Sequence, residues 1–247
     1  MKLRKQLKNI LRTTFNYHPG KTYSAGEAYK VWAQTYDDEN DNLMLHYDKI
    51  ILTELISQIK LKGKVILDYG CGTGRNWNDL LINNPAKLIG CDLSPEMLDK
   101  LKSKIRNAET YLMNNEKLYF LNKNDCDVIV STLVIAHIKN IEELFTEWNR
   151  VMKVSGDIVI TDFHPDILER GGSRTFKHGN ESVTIENYFH SIPEIEKLLS
   201  SFGFKIVGRI EKIIDESVKH FYERHNALHV YERFKGLPFI YGIHMSR

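Results

Sequence analysis

The chain has 247 residues, 42% of them hydrophobic and 27% charged, with a net charge of +2, enough for one domain with at most an appended lid. So small a positive balance does not by itself imply a nucleic-acid partner, and no apolar run approaches the length of a membrane span. The three cysteines, Cys71, Cys91 and Cys126, lack metal-ligand spacing, so buried thiols in a reducing cytoplasm are expected.

The first residues, Met1 to Lys8, are basic, and no apolar signal-peptide stretch follows them. A solvated terminal helix is expected there, with contact to RNA or anionic lipid as the alternative. His18-Pro19-Gly20 signals a turn. The segment from Tyr23 to Asp37 is rich in aromatics and reads as partly helical, either covering the core or closing a site. Asn42 can cap the next helix, in which Ile51, Leu55 and Ile59 recur at four-residue steps and form an apolar face. Gly63 is expected to end it.

Val65-Ile66-Leu67 is continuously apolar, as a strand buried on both sheet faces should be. It ends in an acid, Asp68, and three alternate glycines follow: Gly70, Gly72 and Gly74. A helix can begin from Arg75-Asn76-Trp77. Strand, glycine turn and helix form the first half of a nucleotide-binding βαβ unit. A dinucleotide fingerprint would need a third glycine where Arg75 stands.

A second strand, Lys87 to Asp92, also ends in an acid. Ser94 can cap the helix after it, with Pro95 in its first position. A carboxylate in the place of Asp92 can accept from both ribose hydroxyls, or serve as a helix-dipole acid. Further strands are expected at Thr110–Met113, Asp127–Ser131, Asp157–His164, Phe204–Ile210 and Pro238–Met245. A helix from Asn140 to Met152 presents Leu144, Phe145 and Trp148 on one face. Period two puts Asp162 and His164 on the same side of their strand. They can position an acceptor, make structural hydrogen bonds or enter a metal site, for which His178 and His190 are candidates by type alone. The 165–190 segment reads as a long loop covering a pocket. Ser191-Ile192-Pro193-Glu194 is a capping box, and Glu216 to Lys235 reads as one mixed charged and aromatic helix.

The pattern D-x-G-x-G-x-G from Asp68 to Gly74 resembles motif I of the class I S-adenosylmethionine (SAM)-dependent methyltransferases. Asp92-Leu93-Ser94-Pro95-Glu96-Met97-Leu98 resembles that family's second motif, in its small-molecule, type 11-like branch. The resemblance covers roughly residues 30–245. It implies an α/β, Rossmann-like fold: a seven-stranded, mostly parallel sheet with helices on both faces, the last strand antiparallel and a helical N-terminal lid. The expected division is an arm and lid over 1–42 and a catalytic domain over 43–247, with acceptor-covering segments near 165–190 and 215–236.

The same resemblance implies SAM as cofactor, held by Tyr36 from the lid, Asp68, Gly70, Cys71 and Gly72 at the first strand, and Asp92, Leu93 and Met97 at the second. Asn114 stands where relatives carry an adenine-binding aspartate, and its side-chain oxygen can still accept from the amine. Asn115, Ser131 and Leu133 complete the expected cofactor set. His137 is a candidate base or acceptor-orienting group, or a structural histidine. With Asp162 and His164 it makes up the expected catalytic set, and no metal is expected. Ser131-Thr132-Leu133-Val134 departs from the Asn/Asp-Pro-Pro-Tyr motif of enzymes that methylate nucleobase amines. The expected activity is methyl transfer to O or N of a small molecule, with no membrane partner and with nucleic acid disfavoured. The alternatives are an RNA or protein methyltransferase and a non-catalytic SAM- or nucleotide-binding module. The oligomeric state is left open.

Overall fold

The computed structural model describes residues 22–38, 41–178 and 181–247; the basic start of the chain and the His18-Pro19-Gly20 turn lie outside the described residues. The main sheet has seven strands. In sequence they are β2 (Val65–Tyr69), β3 (Lys87–Asp92), β4 (Glu109–Leu112), β5 (Cys126–Thr132), β6 (Met152–Phe163), β9 (Lys205–Ile213) and β10 (Pro238–Ser246). Their spatial order is β4-β3-β2-β5-β6-β10-β9. All neighbours are parallel except β10, which runs antiparallel to both β6 and β9. The last strand is antiparallel, as expected, but it inserts inside the sheet and leaves β9 at the edge. Strand order reverses between β2 and β5, so a crevice opens beyond their carboxyl ends, where open α/β sheets bind ligands.

Alternation along the central strands feeds two cores. Ile66, Val128, Val130 and Val159 face α2 (Leu43–Ile56), α3 (Trp77–Leu81) and α4 (Pro95–Lys104). Leu67, Ile129, Ile158 and Ile160 face α5 (Ile141–Val151) and α7 (Ile192–Ser201). Strands buried on both faces need no polar side, which is why they read as unbroken apolar runs. The caps sit where the sequence puts them. Asn42 accepts from the Met44 and Leu45 amides, Ser94 from Met97, Asn140 from Glu143 and Ser191 from Glu194. Helix α2 is shorter than expected. It ends at Ile56, and Gly63, with φ +74°, turns the chain into β2.

Two segments differ from expectation. The 165–190 stretch is not a bare loop: it holds α6 (Pro165–Glu169) and a hairpin of β7 (Thr175–His178) and β8 (Glu181–Ile185). Strand β8 also pairs in parallel with β1 (Thr22–Tyr23), giving a second, three-stranded sheet. The helix α1 (Ala25–Trp32), held at its start by a Ser24/Glu27 capping box, packs on this sheet. Trp32 stacks on Phe176 with ring centroids 4.5 Å apart. This small apolar core joins residues about 150 positions apart, a pairing that local periodicity does not encode. The second difference lies at 216–235. One helix was expected; a short 3-10 turn, α8 (Lys219–Arg224) and α9 (Leu228–Phe234) are found. Asn226 at φ +54° breaks the run, because a left-handed residue cannot continue a right-handed helix. No helix among the described residues is long and apolar enough to cross a membrane.

Candidate active site

The crevice is built first by the bend after β2. Gly70, Gly72 and Gly74 have φ of +74°, +51° and +71°. A Cβ on Gly70 would lie 2.3 Å from Val134 Cγ2, and one on Gly74 2.7 Å from Leu101 Cγ, whereas one on Gly72 would meet nothing within 4 Å. Protein therefore presses on the bend from two sides, and at Gly72 bare backbone faces open space. The amides of Gly70 and Cys71 both donate to the Cys91 carbonyl oxygen, at 2.8 and 3.0 Å. The Gly72 amide donates to Asp92 Oδ2 at 2.8 Å and the Ser94 amide to Oδ1 at 2.9 Å.

Asp68 and Asp92 thus end neighbouring parallel strands and share one crevice. Trp77 Nε1 donates to Asp68 Oδ2 at 2.8 Å. Burial pushes the Asp68 carboxyl up to about 7. The Trp77 hydrogen bond and the Arg75 charge oppose that rise; the Asp92 and Asp48 carboxylates add to it. Burial also raises Asp92, against the pull of the Ser94 and Gly72 amides. Negative charge is thereby concentrated and under-compensated at the ends of β2 and β3, and a cation placed there would lower its cost.

The lid is tied to this bend. The Thr73 hydroxyl donates to Asp37 Oδ1 at 2.6 Å, and Lys104 Nζ pairs with Asp37 Oδ2 at 2.8 Å. Tyr36 packs edge-on against Trp32 and Tyr29 and stands beside the Arg75 guanidinium. Arg75 is held by Asp48, Nη2 to Oδ2 at 2.5 Å, and Thr161 donates its hydroxyl to the other Asp48 oxygen. The residue that spoils a dinucleotide fingerprint is the hub linking lid, α2 and β6.

Beyond β5 the chain takes a strained turn at Leu133, φ +61°. Its amide donates to the Thr161 carbonyl at 2.8 Å, and its carbonyl accepts from Arg174 Nη1 at 2.9 Å. His137 Nδ1 lies 3.1 Å from the Glu186 carbonyl oxygen, so Nδ1 carries the proton. Nε2 is left to accept from the Tyr29 hydroxyl at 3.1 Å and from Arg174. Burial and the Arg174 charge push His137 down to about 3, so its ring is neutral. With its lone pair already turned to two donors, His137 orients Tyr29 and Arg174 and is not poised as a free base.

The expected Asp162–His164 pair does not form. Asp162 accepts from the Ala136 amide at 2.8 Å and the Phe163 amide at 2.7 Å, pinning the turn after β5. His164 lies one residue past the end of β6, where the period-two rule no longer applies. It caps α6 by accepting from the Asp166 amide at 3.2 Å, and burial lowers its pKa. Among the described residues no three His, Cys, Asp or Glu side chains are grouped to hold a metal ion; the side chain of His178 is outside the described set, and His190 Nε2 faces the Ile138 carbonyl.

The other expected cofactor residues lie around the crevice. Met97 is buried beneath it, and Leu93 is 42% exposed beside Asp92. Cys71 is buried in the bend, its thiol pushed well up by burial. Ser131 Oγ, at the end of β5, and Asn76 Oδ1, just past the bend, are buried with no hydrogen-bond partner among the described residues. Asn115 spends its side-chain oxygen on the Lys117 amide at 2.9 Å, and Asn114 is exposed. Sequence reasoning missed Tyr29, Asp48, Thr161 and Arg174 and took Arg75 only as a broken motif. Asp48 carried one signal: it is an acid on the apolar face of α2, three residues before Ile51 and four before Leu52.

Residues 67–160 match the family model described as a methyltransferase domain. An uncharacterised protein of Methanocaldococcus jannaschii is 28% identical over 78% of this chain and 81% of its own. An uncharacterised methyltransferase of Emericella nidulans is 24% identical over 73% of this chain and 76% of its own. Among solved structures, a SAM-dependent methyltransferase from Mesorhizobium loti superposes with a TM-score of 0.60 at 17% identity, covering 78% of this chain and 96% of its own.

Proposed function

We propose that the chain, whose residues 67–160 match a methyltransferase domain, is a class I SAM-dependent methyltransferase that methylates an oxygen or nitrogen of a small molecule enclosed beneath the aromatic lid. One observation carries the acceptor size: Trp32 and Phe176 stack in an apolar core separate from the two that flank the sheet, while Asp37 ties the same lid to the glycine bend and α4. A polymer would need an open basic groove there. A small acceptor gains from an enclosed one, because water is excluded and both reactants are held in register.

The residues fit the cofactor. Asp68 offers its second carboxylate oxygen to an ammonium group, Gly72 offers bare backbone, and Asp92 keeps lone pairs for ribose hydroxyls. Buried Ser131 Oγ and Asn76 Oδ1 still lack partners. Bound SAM supplies a methyl group on a leaving group that is already activated. The chain therefore has to orient and to exclude water; in favourable cases alignment contributes on the order of 7–11 kcal/mol. Neutral His137 holds Tyr29 and Arg174 in place, and with its Nε2 lone pair turned to those two donors it does not take the acceptor's proton. That suits an acceptor whose nucleophilic atom arrives unprotonated.

The test is calorimetry with SAM, S-adenosylhomocysteine (SAH) and NADH, followed by SAH release from SAM with low-mass, RNA and protein fractions of a cell extract. Binding of SAM and SAH and turnover by the low-mass fraction are expected. Turnover only with RNA or protein would overturn the acceptor class, and binding of NADH alone would overturn the cofactor.

A further inference from the structure

Arg174 is the site's most poorly matched charge. It is 2% exposed. Nη1 serves the Leu133 carbonyl and His137, and Nε faces Met44 Sδ at 3.2 Å. Nη2 has no hydrogen-bond partner among the described residues, and no carboxylate among them pairs with the guanidinium. Asp162 is near enough to attract it, but both Asp162 oxygens are committed to the Ala136 and Phe163 amides. A buried cation without a paired anion is costly, and a guanidinium edge matches the two oxygens of a carboxylate or phosphate.

Position decides which reactant brings that anion. Arg174 sits against Leu133 and His137, beyond β5, whereas Asp68 and Asp92 make the ends of β2 and β3 negative. An anionic group is repelled at the cofactor acids and attracted at Arg174. Tyr29 and Tyr36 lie close enough to feel the same charge and give the surroundings an aromatic wall. We propose that the methyl acceptor is an anion, a small carboxylate or phosphate ester, whose charged group docks on the free Nη2 edge of Arg174. This rests on the methyltransferase reading above and narrows it. The neutral His137 ring fixes the guanidinium from behind, so the docking group meets an edge already oriented.

The probes are benzoate, phenyl phosphate and neutral benzamide, titrated into the SAH-loaded full chain and followed by calorimetry and thermal unfolding. Saturable binding of benzoate or phenyl phosphate, with none of benzamide, is expected, and the preferred anion separates carboxylate from phosphate. Arg174→Gln should weaken that anion at least about tenfold while SAH affinity stays within about threefold. Arg174→Lys, which keeps the charge but not the fork, should fall between and covers the case in which Arg174→Gln does not fold. Equal binding of benzamide, or no anion binding by the wild type, overturns the proposal. So does a loss of SAH affinity above about tenfold in the folded variants, which would assign Arg174 to the cofactor's own carboxylate. Failure of the wild type to bind SAH at all would instead sink the methyltransferase reading.

Discussion

On the proposed reading, in which the Asp68 carboxylate receives the cofactor's ammonium, cofactor affinity should depend on pH. The Asp68 carboxyl titrates near 7 in the free protein because it is buried beside Asp92 and Asp48. An ammonium group binds only the ionised form, so protonation competes with the cofactor. For a site titrating at about 7, the apparent Kd for SAH rises about 25-fold from pH 7.5 to 5.5, or ~1.9 kcal/mol. The ligand's ammonium is charged throughout that window, so the slope belongs to the protein. Stability of the free protein moves the opposite way. The folded pKa lies above the unfolded value, so the contribution is fully present below about pH 4 and is lost as pH rises through about 7. Asp68→Asn, which can still accept from Trp77, removes the effect. At pH 8 the free variant should be more stable than the wild type, by up to ~4 kcal/mol for about three units of raised pKa. Isothermal calorimetry across the pH series checks the first expectation and thermal unfolding the second. SAH affinity that is flat between those pH values, or an Asn variant as pH-dependent as the wild type, would refute the electrostatic reasoning.

Removing Asp48 by Asp48→Ala leaves the half-buried Arg75 without its ion-pair partner and should cost up to about 3–5 kcal/mol, seen as a lower urea midpoint with an unchanged m-value. Gly70→Ala meets both a positive φ and the Val134 side chain; overpacking of about 1–3 kcal/mol on top of backbone strain should lower Tm and SAH affinity together. Asp37→Ala cuts a lid tether that is partly solvent-exposed, so stability should change by no more than about 1 kcal/mol. Its signature should be a faster SAH off-rate in stopped-flow displacement, and an unchanged off-rate would show that the tether does not govern lid opening.

The strand ends were legible because each rests on chemistry within a few residues. Asp68, its glycine bend and the Asp92-to-Pro95 cap are contiguous signals, and parallel pairing of β2 with β3 then brings the two acids together. The unbroken apolar runs of β2, β5 and β6 likewise announced strands with both faces covered. The far side of the crevice is assembled from positions remote in the chain. Trp32 finds Phe176, Arg174 finds Leu133 and His137, and Arg75 finds Asp48 and Thr161. Only Asp48, an acid on the apolar face of its helix, leaves a local trace; the pairings themselves leave no periodicity or spacing behind. Asp162 and His164 show the converse: a valid strand rule was carried one residue past the strand, where His164 had turned to cap a helix. Local sequence can specify where backbone bends and which ends carry charge. Which distant side chains are left facing one another, and which buried cation is left without an anion, depends on how the β7–β8 hairpin and the lid settle over the sheet.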